Sequence, residues 1–416
     1  MSVLAKNIRA IEGNFANFDG SFYGRAEIDE STGTIKKITE PLGEADIIVE
    51  KGIIFPGFVD LHVHAREDTS KLQVHKEDFD TAAQAALQGG VVCAADMPNN
   101  PAAPIDDATY LAKKNLAEDK PINFLLYAAV GPGTRPLSFA VPYKVFMGPS
   151  VGELFFKNFA QLEQTVKHYE KCFVSFHCEN PAMLQEYARP PEAEISAIEF
   201  ALLLIEKYKL QGNICHCSTK EGIEKIKNAK LRDVPVTCEV TPHHLYFEAS
   251  MLTEKNRKWL QVNPPVRSRG DRLALIEALR DGTIDFLASD HAPHTRDEKE
   301  KGVSGMPHLD TYGAFATWLM EEHNFTPQDI ARICAYNPGR FVNRFDDLRY
   351  GKIEEGYVAS FTIIDPNAPA TVSTADLRTK CKWSPFEGVE FPGQVLYTIH
   401  KGNLLYTHKE NYKRKT

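Results

Sequence analysis

Residues 57–64 read GFVDLHVH, an apolar run that ends in two histidines separated by one residue. We expect this run to form a β-strand. Because side chains alternate along a strand, His62 and His64 would then point to the same side. Two imidazoles on one face can hold a single metal ion. An isolated pair of this kind is more often incidental, so its interpretation depends on the rest of the chain.

Seven further apolar runs of strand length follow, and helical periodicity separates most of them. The eight predicted strands are Gly57–His64, Val91–Met97, Asn123–Val130, Tyr143–Met147, Phe173–Cys178, Asn213–Cys217, Val236–Val240 and Thr283–Ser289. The predicted helices include Phe79–Leu87, Ala160–Tyr169, Ile195–Tyr208, Glu221–Ala229 and Arg272–Leu279. Eight strands that alternate with helices are typical of an α/β protein built on a (β/α)8 barrel.

Both ends of the chain are rich in short strands and turns instead. Residues 1–54 contain DIIVE, and residues 345–416 contain GKIEEGYVASFTIID and a turn at Asp365-Pro366. We expect the two ends to form one small β-sandwich domain, with the catalytic barrel at residues 55–344 between them.

Composition sets limits on function. The 416 residues are 43% hydrophobic and 25% charged, an ordinary globular balance, with a formal net charge of −8. That charge disfavours a nucleic-acid binder or a protein of acidic membrane surfaces. No apolar run approaches the ~18–20 residues of a membrane span, and the first residues do not resemble a signal peptide. The eight dispersed cysteines indicate reduced thiols in a cytoplasmic protein.

Further metal-binding residue types stand at the ends of other predicted strands. His177 ends the fifth strand, His216 lies in the sixth, and Asp290 follows the eighth. The carboxyl ends of barrel strands share one face, where active sites lie. Four imidazoles and a carboxylate at that face predict a metal centre, and this ligand set suits zinc.

Lys144 lies in an otherwise apolar strand, YKVFM. It could be a strand-end lysine that reaches solvent. It could instead be an unprotonated lysine near metal ions, carboxylated by carbon dioxide into a bridging ligand. The neighbouring Cys215-His216-Cys217 does not predict a thiolate site, because alternation would turn both cysteines away from His216 and no CxxC pair lies elsewhere.

Several stretches together resemble the dihydroorotases of the amidohydrolase superfamily. The matching stretches, in chain order, are VDLHVHARE (59–67), MPNN (97–100), ICH (214–216), VTCEVTPHH (236–244), ASDHAPHT (288–295) and WSPFEG (383–388). They cover most of the chain.

The resemblance implies roles for single residues. His62, His64 and Asp290 would hold one zinc ion, His177 and His216 a second, and carboxylated Lys144 would bridge them. Asp290 would also act as general acid and base. The substrate carboxylate would bind to Arg66, Asn99 and His294, while Asn263 and the Glu239 region would line the pocket. Glu239 could support a metal ligand or bind a third metal ion.

The implied reaction is the reversible, zinc-dependent closure of N-carbamoyl-L-aspartate to L-dihydroorotate, in pyrimidine biosynthesis. The resemblance further implies a small-molecule substrate, a homodimer and a possible association with aspartate transcarbamoylase. Residues 148–152, GPSVG, resemble a loop that closes over substrate and could equally be an ordinary connection.

Two departures from the family pattern concern the pocket. The longer loop Asp68–Val74 follows Arg66-Glu67, and Met306-Pro307-His308 stands where the family more often has a small residue after proline. Neither departure affects a predicted metal ligand.

Two other functions stay open. An allantoinase or hydantoinase would share the barrel and the metals, but its neutral substrate has no carboxylate for Arg66 and Asn99. An inactive scaffold protein would have lost ligands, and here all six are present. A serine hydrolase and a nucleotide-binding enzyme are disfavoured, because neither a GxSxG elbow nor a P-loop is found.

Overall fold

A closed barrel of parallel strands forms the centre of the computed structural model, which describes residues 6–149, 154–185 and 188–408. Its strands are Phe58–Val63, Val91–Asp96, Asn123–Leu126 with Ala128–Val130, Tyr143–Phe146, Phe173–His177, Gln211–Ile214, Val236–Val240 and Phe286–Leu287. Each overlaps one of the eight predicted strands, so the predicted α/β barrel is confirmed.

Neighbouring strands pair in parallel around the barrel. The third strand is interrupted at Tyr127: Asn123–Leu126 pair with the second strand, and Ala128–Val130 pair with the fourth. The eighth strand closes the ring against the first. There, His64 N–H bonds the His291 carbonyl at 2.8 Å, and the Ser289 N–H bonds Asp60 Oδ1 at 3.0 Å. The ends of the first and eighth strands are therefore held side by side.

Helices surround the barrel, and side-chain caps fix several of their starts. Asp78 and Thr81 form a reciprocal capping box at one helix, and Ser268 and Asp271 form another. The α-helices are Phe79–Gln88, Asp107–Ala117, Phe159–Val166, Pro191–Tyr208, Lys220–Lys230, Pro242–Tyr246, Arg269–Asp281, Arg296–Glu300, Tyr312–His323, Pro327–Ala331 and Asn337–Val342. Three-residue helical turns are Pro181–Met183, Ala249–Met251 and Leu309–Thr311, and Arg332–Tyr336 forms a π-helix.

Strands from both ends of the chain join in one nine-stranded sheet. These strands are Lys6–Asn7, Ala10–Asn17, Gly20–Asp29, Thr34–Thr39, Ile47–Ile48, Ile53–Pro56, Phe361–Asp365, Gln394–His400 and Asn403–Thr407. The sheet has its own apolar core, which includes Ile11, Phe15, Ile54 and Phe361. A separate pair, Ala370–Thr371 and Glu390–Phe391, follows the barrel. The expected domain boundaries near residues 54 and 345 stay a prediction.

All eight cysteines are unpaired, and every one except Cys172 is buried. Among the described residues, no helix combines the length and apolar character that a membrane crossing requires.

Candidate metal centre and substrate cavity

A cavity of about 240 Å³ opens at the carboxyl ends of the barrel strands. Eight of the ten predicted site residues line it, namely His62, His64, Arg66, Asn99, His177, His216, Asn263 and Asp290. The remaining two, Lys144 and His294, are fully buried beside it. The barrel therefore brings together residues from distant parts of the chain, because most of them stand at or just after a strand end.

The first group centres on the carboxylate of Asp290. Its Oδ1 lies 3.3 Å from His62 Nε2 and 3.1 Å from His64 Nε2. Although burial alone raises the pKa of Asp290, the adjacent imidazoles of His62 and His64 outweigh it and hold the pKa well below its usual value. Burial lowers the pKa of His64 to about 3, so that ring is neutral, the form that binds metals.

The hydrogen-bond partners of Nδ1 in His62 and His64 show which nitrogen of each ring carries the hydrogen and which carries a lone pair. His62 Nδ1 contacts Glu239 Oε1, and a carboxylate only accepts, so Nδ1 carries the hydrogen. His64 Nδ1 lies 2.7 Å from Asn99 Oδ1, another acceptor. In the neutral rings, both Nε2 lone pairs then face the Asp290 oxygen, so a proton or a metal ion between these atoms makes the contact attractive. Three acceptors that converge in a buried space fit a cation between them.

The second group is the pair His177 and His216. His177 Nε2 donates to Glu179 Oε2 at 2.8 Å, which leaves its Nδ1 lone pair 2.9 Å from His216 Nε2. His216 Nδ1 is buried without a hydrogen-bond partner among the described residues. Donor atoms of His62, His216 and Asp290 all lie within 4.8 Å of one another, so the two groups are contiguous. These residues fit the predicted metal centre.

Lys144 is completely buried, and its Nζ lies 2.7 Å from Cys215 Sγ. It forms no ion pair with a carboxylate of the described residues. The prediction from strand alternation that Cys215 points away from His216 and the site is wrong, because its thiol contacts Lys144. The sixth strand ends at Ile214, and His216 has a left-handed φ of +34°, so strand alternation does not continue through Cys215 and His216. Donor atoms of Cys215, His62 and Glu239 form a second close group.

Arg66 supplies the positive charge of the cavity. Its side chain is buried, and it donates from Nε to the Pro293 carbonyl at 3.3 Å and from Nη2 to His294 Nε2 at 3.2 Å. Burial lowers the pKa of Arg66 to about 10. No carboxylate of the described residues pairs with this guanidinium, although it lines the cavity. His294 lies behind Arg66 and holds it in place.

Three further charged residues, Glu239, Glu179 and Arg189, contact the site, and the sequence analysis named only the first. Glu239 supports a proposed ligand and is not among the residues that line the cavity. Glu239 bonds His62 and also accepts from Asn213 Nδ2 at 3.1 Å. Glu179 accepts from His177 and pairs with Arg189, which itself lines the cavity. Glu239 lies near the end of a strand, and Glu179 lies two positions beyond a strand-end histidine, so strand-end position could have indicated both. No sequence signal indicated Arg189.

The two departures from the family pattern have structural roles. In the longer loop, Asp68 Oδ1 accepts a hydrogen bond from Ser70 N at 2.6 Å, which stabilises a turn. Its Oδ2 accepts a second hydrogen bond from Ala102 N at 3.2 Å, which connects the loop to the next segment. The Met306 carbonyl accepts from Ala292 N at 2.8 Å beside the cavity. His308 packs on His243 with ring centroids 5.0 Å apart. Residues 150–152 of the predicted closing loop lie outside the described residues.

Comparison with known proteins identifies the family of the chain. Residues 53–405 match the model of the amidohydrolase family. A dihydroorotase of Pyrococcus abyssi is 36% identical over 97% of this chain and 93% of its own length. One of Thermococcus kodakarensis is 38% identical over 87% of this chain and 86% of its own length.

Solved structures share the fold. An L-hydantoinase (dihydropyrimidinase) from Arthrobacter aurescens superposes with a TM-score of 0.87 at 22% identity, over 97% of this chain and 96% of that one. A D-hydantoinase superposes with a TM-score of 0.83 at 22% identity, over the same shares of the two chains. The sequence matches extend over nearly the whole chain, and the chain therefore belongs to the amidohydrolase family and, within it, to the dihydroorotases.

Proposed function

We propose that this cavity catalyses the reversible, zinc-dependent interconversion of N-carbamoyl-L-aspartate and L-dihydroorotate. The observation that carries the proposal is Arg66, a buried guanidinium at the cavity wall with no carboxylate partner among the described residues. A buried unpaired charge is costly. A substrate that carries a carboxylate supplies the missing partner, and the planar guanidinium matches a carboxylate through two hydrogen bonds.

The metal ligands form part of the proposal. His62, His64 and Asp290 would hold one zinc ion, His177 and His216 a second, and a carboxylated Lys144 would bridge them. A buried lysine without a carboxylate partner supports carboxylation, because the modification would convert an unpaired cation into an anion among metal ions. The ions would polarise the scissile carbonyl and lower the pKa of water.

Asp290 would move the proton. In hydrolysis, water adds to the ring carbonyl, the amide C–N bond breaks, and the Asp290 carboxylate carries the proton from water to the leaving nitrogen. Ring closure follows the same steps in reverse. The neighbours His62 and His64 keep this carboxyl ionised, as a proton acceptor must be before the step.

Arg66 and Asn99 would bind the carboxylate that does not react, with His294 supporting Arg66 from behind. Asn263 also lines the cavity, and Ser304 Oγ donates to its Oδ1 at 3.2 Å. This arrangement favours dihydroorotate over the neutral rings of allantoin and hydantoin, which offer no charge to Arg66. It also disfavours an inactive scaffold, because all six proposed metal ligands lie in or beside one cavity.

Pathway, location and assembly complete the proposal. The reaction would serve pyrimidine biosynthesis in the cytoplasm. A homodimer and an association with aspartate transcarbamoylase are part of the same hypothesis and rest on the family resemblance.

The test is hydrolysis of dihydroorotate, with hydantoin and allantoin in parallel, on protein whose zinc has been counted. Preferential turnover of dihydroorotate with about two zinc ions per chain supports the proposal. Preferential turnover of a neutral ring would overturn the role of Arg66. Absence of both metal and turnover would indicate a scaffold.

A further inference from the structure

Lys299 is a buried lysine that the proposed mechanism does not use. It lies in the short helix Arg296–Glu300, and its side chain has no exposure to solvent. It forms no ion pair with a carboxylate of the described residues. Instead, its Nζ donates to three backbone carbonyls, those of Gln261 at 3.1 Å, Val303 at 2.8 Å and Gly305 at 2.9 Å.

Those carbonyls belong to two segments that form part of the wall of the substrate cavity. Val262 and Asn263 line the cavity from residues 261–263, and Ser304 and Gly305 line it from residues 303–305. The segments also bond each other, because Gly305 N donates to the Gln261 carbonyl at 3.0 Å. Lys299 therefore joins both segments through hydrogen bonds on the side away from the cavity. We call this set of three hydrogen bonds the clamp.

The chemistry of the clamp requires an ammonium group. An ammonium has three N–H donors for three carbonyls, whereas a neutral amine has two. Burial lowers the pKa of Lys299 to about 7, and the carbonyl oxygens oppose that shift by favouring the charged form. The ring of Trp383 lies 5.6 Å from Nζ and adds a cation–π contact, while its Nε1 donates to the His294 carbonyl at 2.7 Å.

We propose that Lys299 is a positioning residue, which sets the affinity for substrate by fixing the cavity wall of residues 261–263 and 303–305 without touching the substrate or the metal ligands. The kinetic part of this inference rests on the proposed function. The structural part does not, because it concerns the rigidity of two named segments.

The test compares Lys299→Met, which keeps an unbranched side chain and removes the donors, with Lys301→Met, at an exposed lysine two positions away. We expect Lys299→Met to raise the KM for dihydroorotate at least about tenfold, with kcat within about threefold and zinc content unchanged. Amide hydrogen exchange should become faster in peptides that span 259–264 and 302–306. Lys301→Met should match the parent protein in all four measurements.

A second variant keeps the test decisive if Lys299→Met fails to fold. Lys299→Gln retains two N–H donors and should give a smaller rise in KM and in local exchange. An unchanged KM and unchanged exchange in the variant that folds would overturn the proposal, as would a loss of zinc or an equal fall in kcat. If the parent protein lacks dihydroorotase activity, the proposed function fails, and faster exchange confined to the two segments still supports the clamp.

Discussion

Replacement of Arg66 by methionine should weaken the binding of an anionic substrate without destabilising the fold. The guanidinium is buried, lines the cavity and has no carboxylate partner among the described residues. In the complex, the substrate carboxylate would become that partner. Removal of one member of a buried ion pair costs about 3–5 kcal/mol. Because about 1.4 kcal/mol corresponds to a factor of ten, kcat/KM should fall by roughly 10²–10³·⁵.

The same substitution should not destabilise the free protein. The Arg66→Met variant would lack a buried charge whose only hydrogen-bond partners among the described residues are the Pro293 carbonyl and His294. The left-handed backbone at this position, φ +63°, is equally strained for either side chain. We therefore expect the melting temperature of the ligand-free variant to equal or exceed that of the parent protein.

Steady-state kinetics in both directions and thermal unfolding, each at constant zinc content, measure these effects. Arg296→Met is the matched control, because Arg296 is exposed and its guanidinium donates to the Lys382 carbonyl, away from the cavity lining. A kcat/KM within about threefold of the parent value would refute the role of Arg66 in carboxylate binding. A large fall in melting temperature would show that the guanidinium stabilises the fold instead.

Four further predictions concern the metal centre. Asp290→Asn should lower kcat by about 10²–10⁴ with zinc largely retained, because an amide cannot accept the proton; kinetics within about tenfold of the parent would contradict this. Lys144→Met should lower the zinc content of purified protein, measured by elemental analysis, and full occupancy in that variant would remove the bridging role. Glu239→Gln should weaken zinc binding by about 10–100-fold in a chelator competition, since His62 loses the carboxylate that orients its ring. Exhaustive chelation of the parent protein should abolish turnover, and activity that persists without metal would argue against the proposed chemistry.

A comparison of the predicted strands with the observed ones shows how much of the barrel the local sequence pattern predicts. The first strand, Phe58–Val63, is buried along its whole length, so its apolar run was a strong signal. The eighth is reduced from the predicted Thr283–Ser289 to Phe286–Leu287. The third is interrupted at Tyr127, where the pairing passes from the second strand to the fourth. Such interruptions depend on partners in another strand, which local pattern does not contain.

Cys215 shows the limit of side-chain alternation. The rule holds within a strand, and here the strand ends one residue before the cysteine. The left-handed φ of His216 then allows Cys215 and His216 both to contact residues of the proposed metal centre. A residue-by-residue propensity does not predict a positive φ at histidine, because the surrounding structure imposes it.

The sequence alone determined the approximate positions of the eight strands and of several helices, because hydrophobic periodicity is a local property. It also determined the family, because the resembling motifs are short stretches of consecutive residues. It thereby placed the six proposed metal ligands at one face of a barrel. Only the tertiary structure decided that Glu239 orients His62, that Arg66 lies buried without a carboxylate partner among the described residues, and that Lys299 clamps two segments of the cavity wall. These contacts depend on distances between side chains on different strands and loops, which are fixed when the barrel closes.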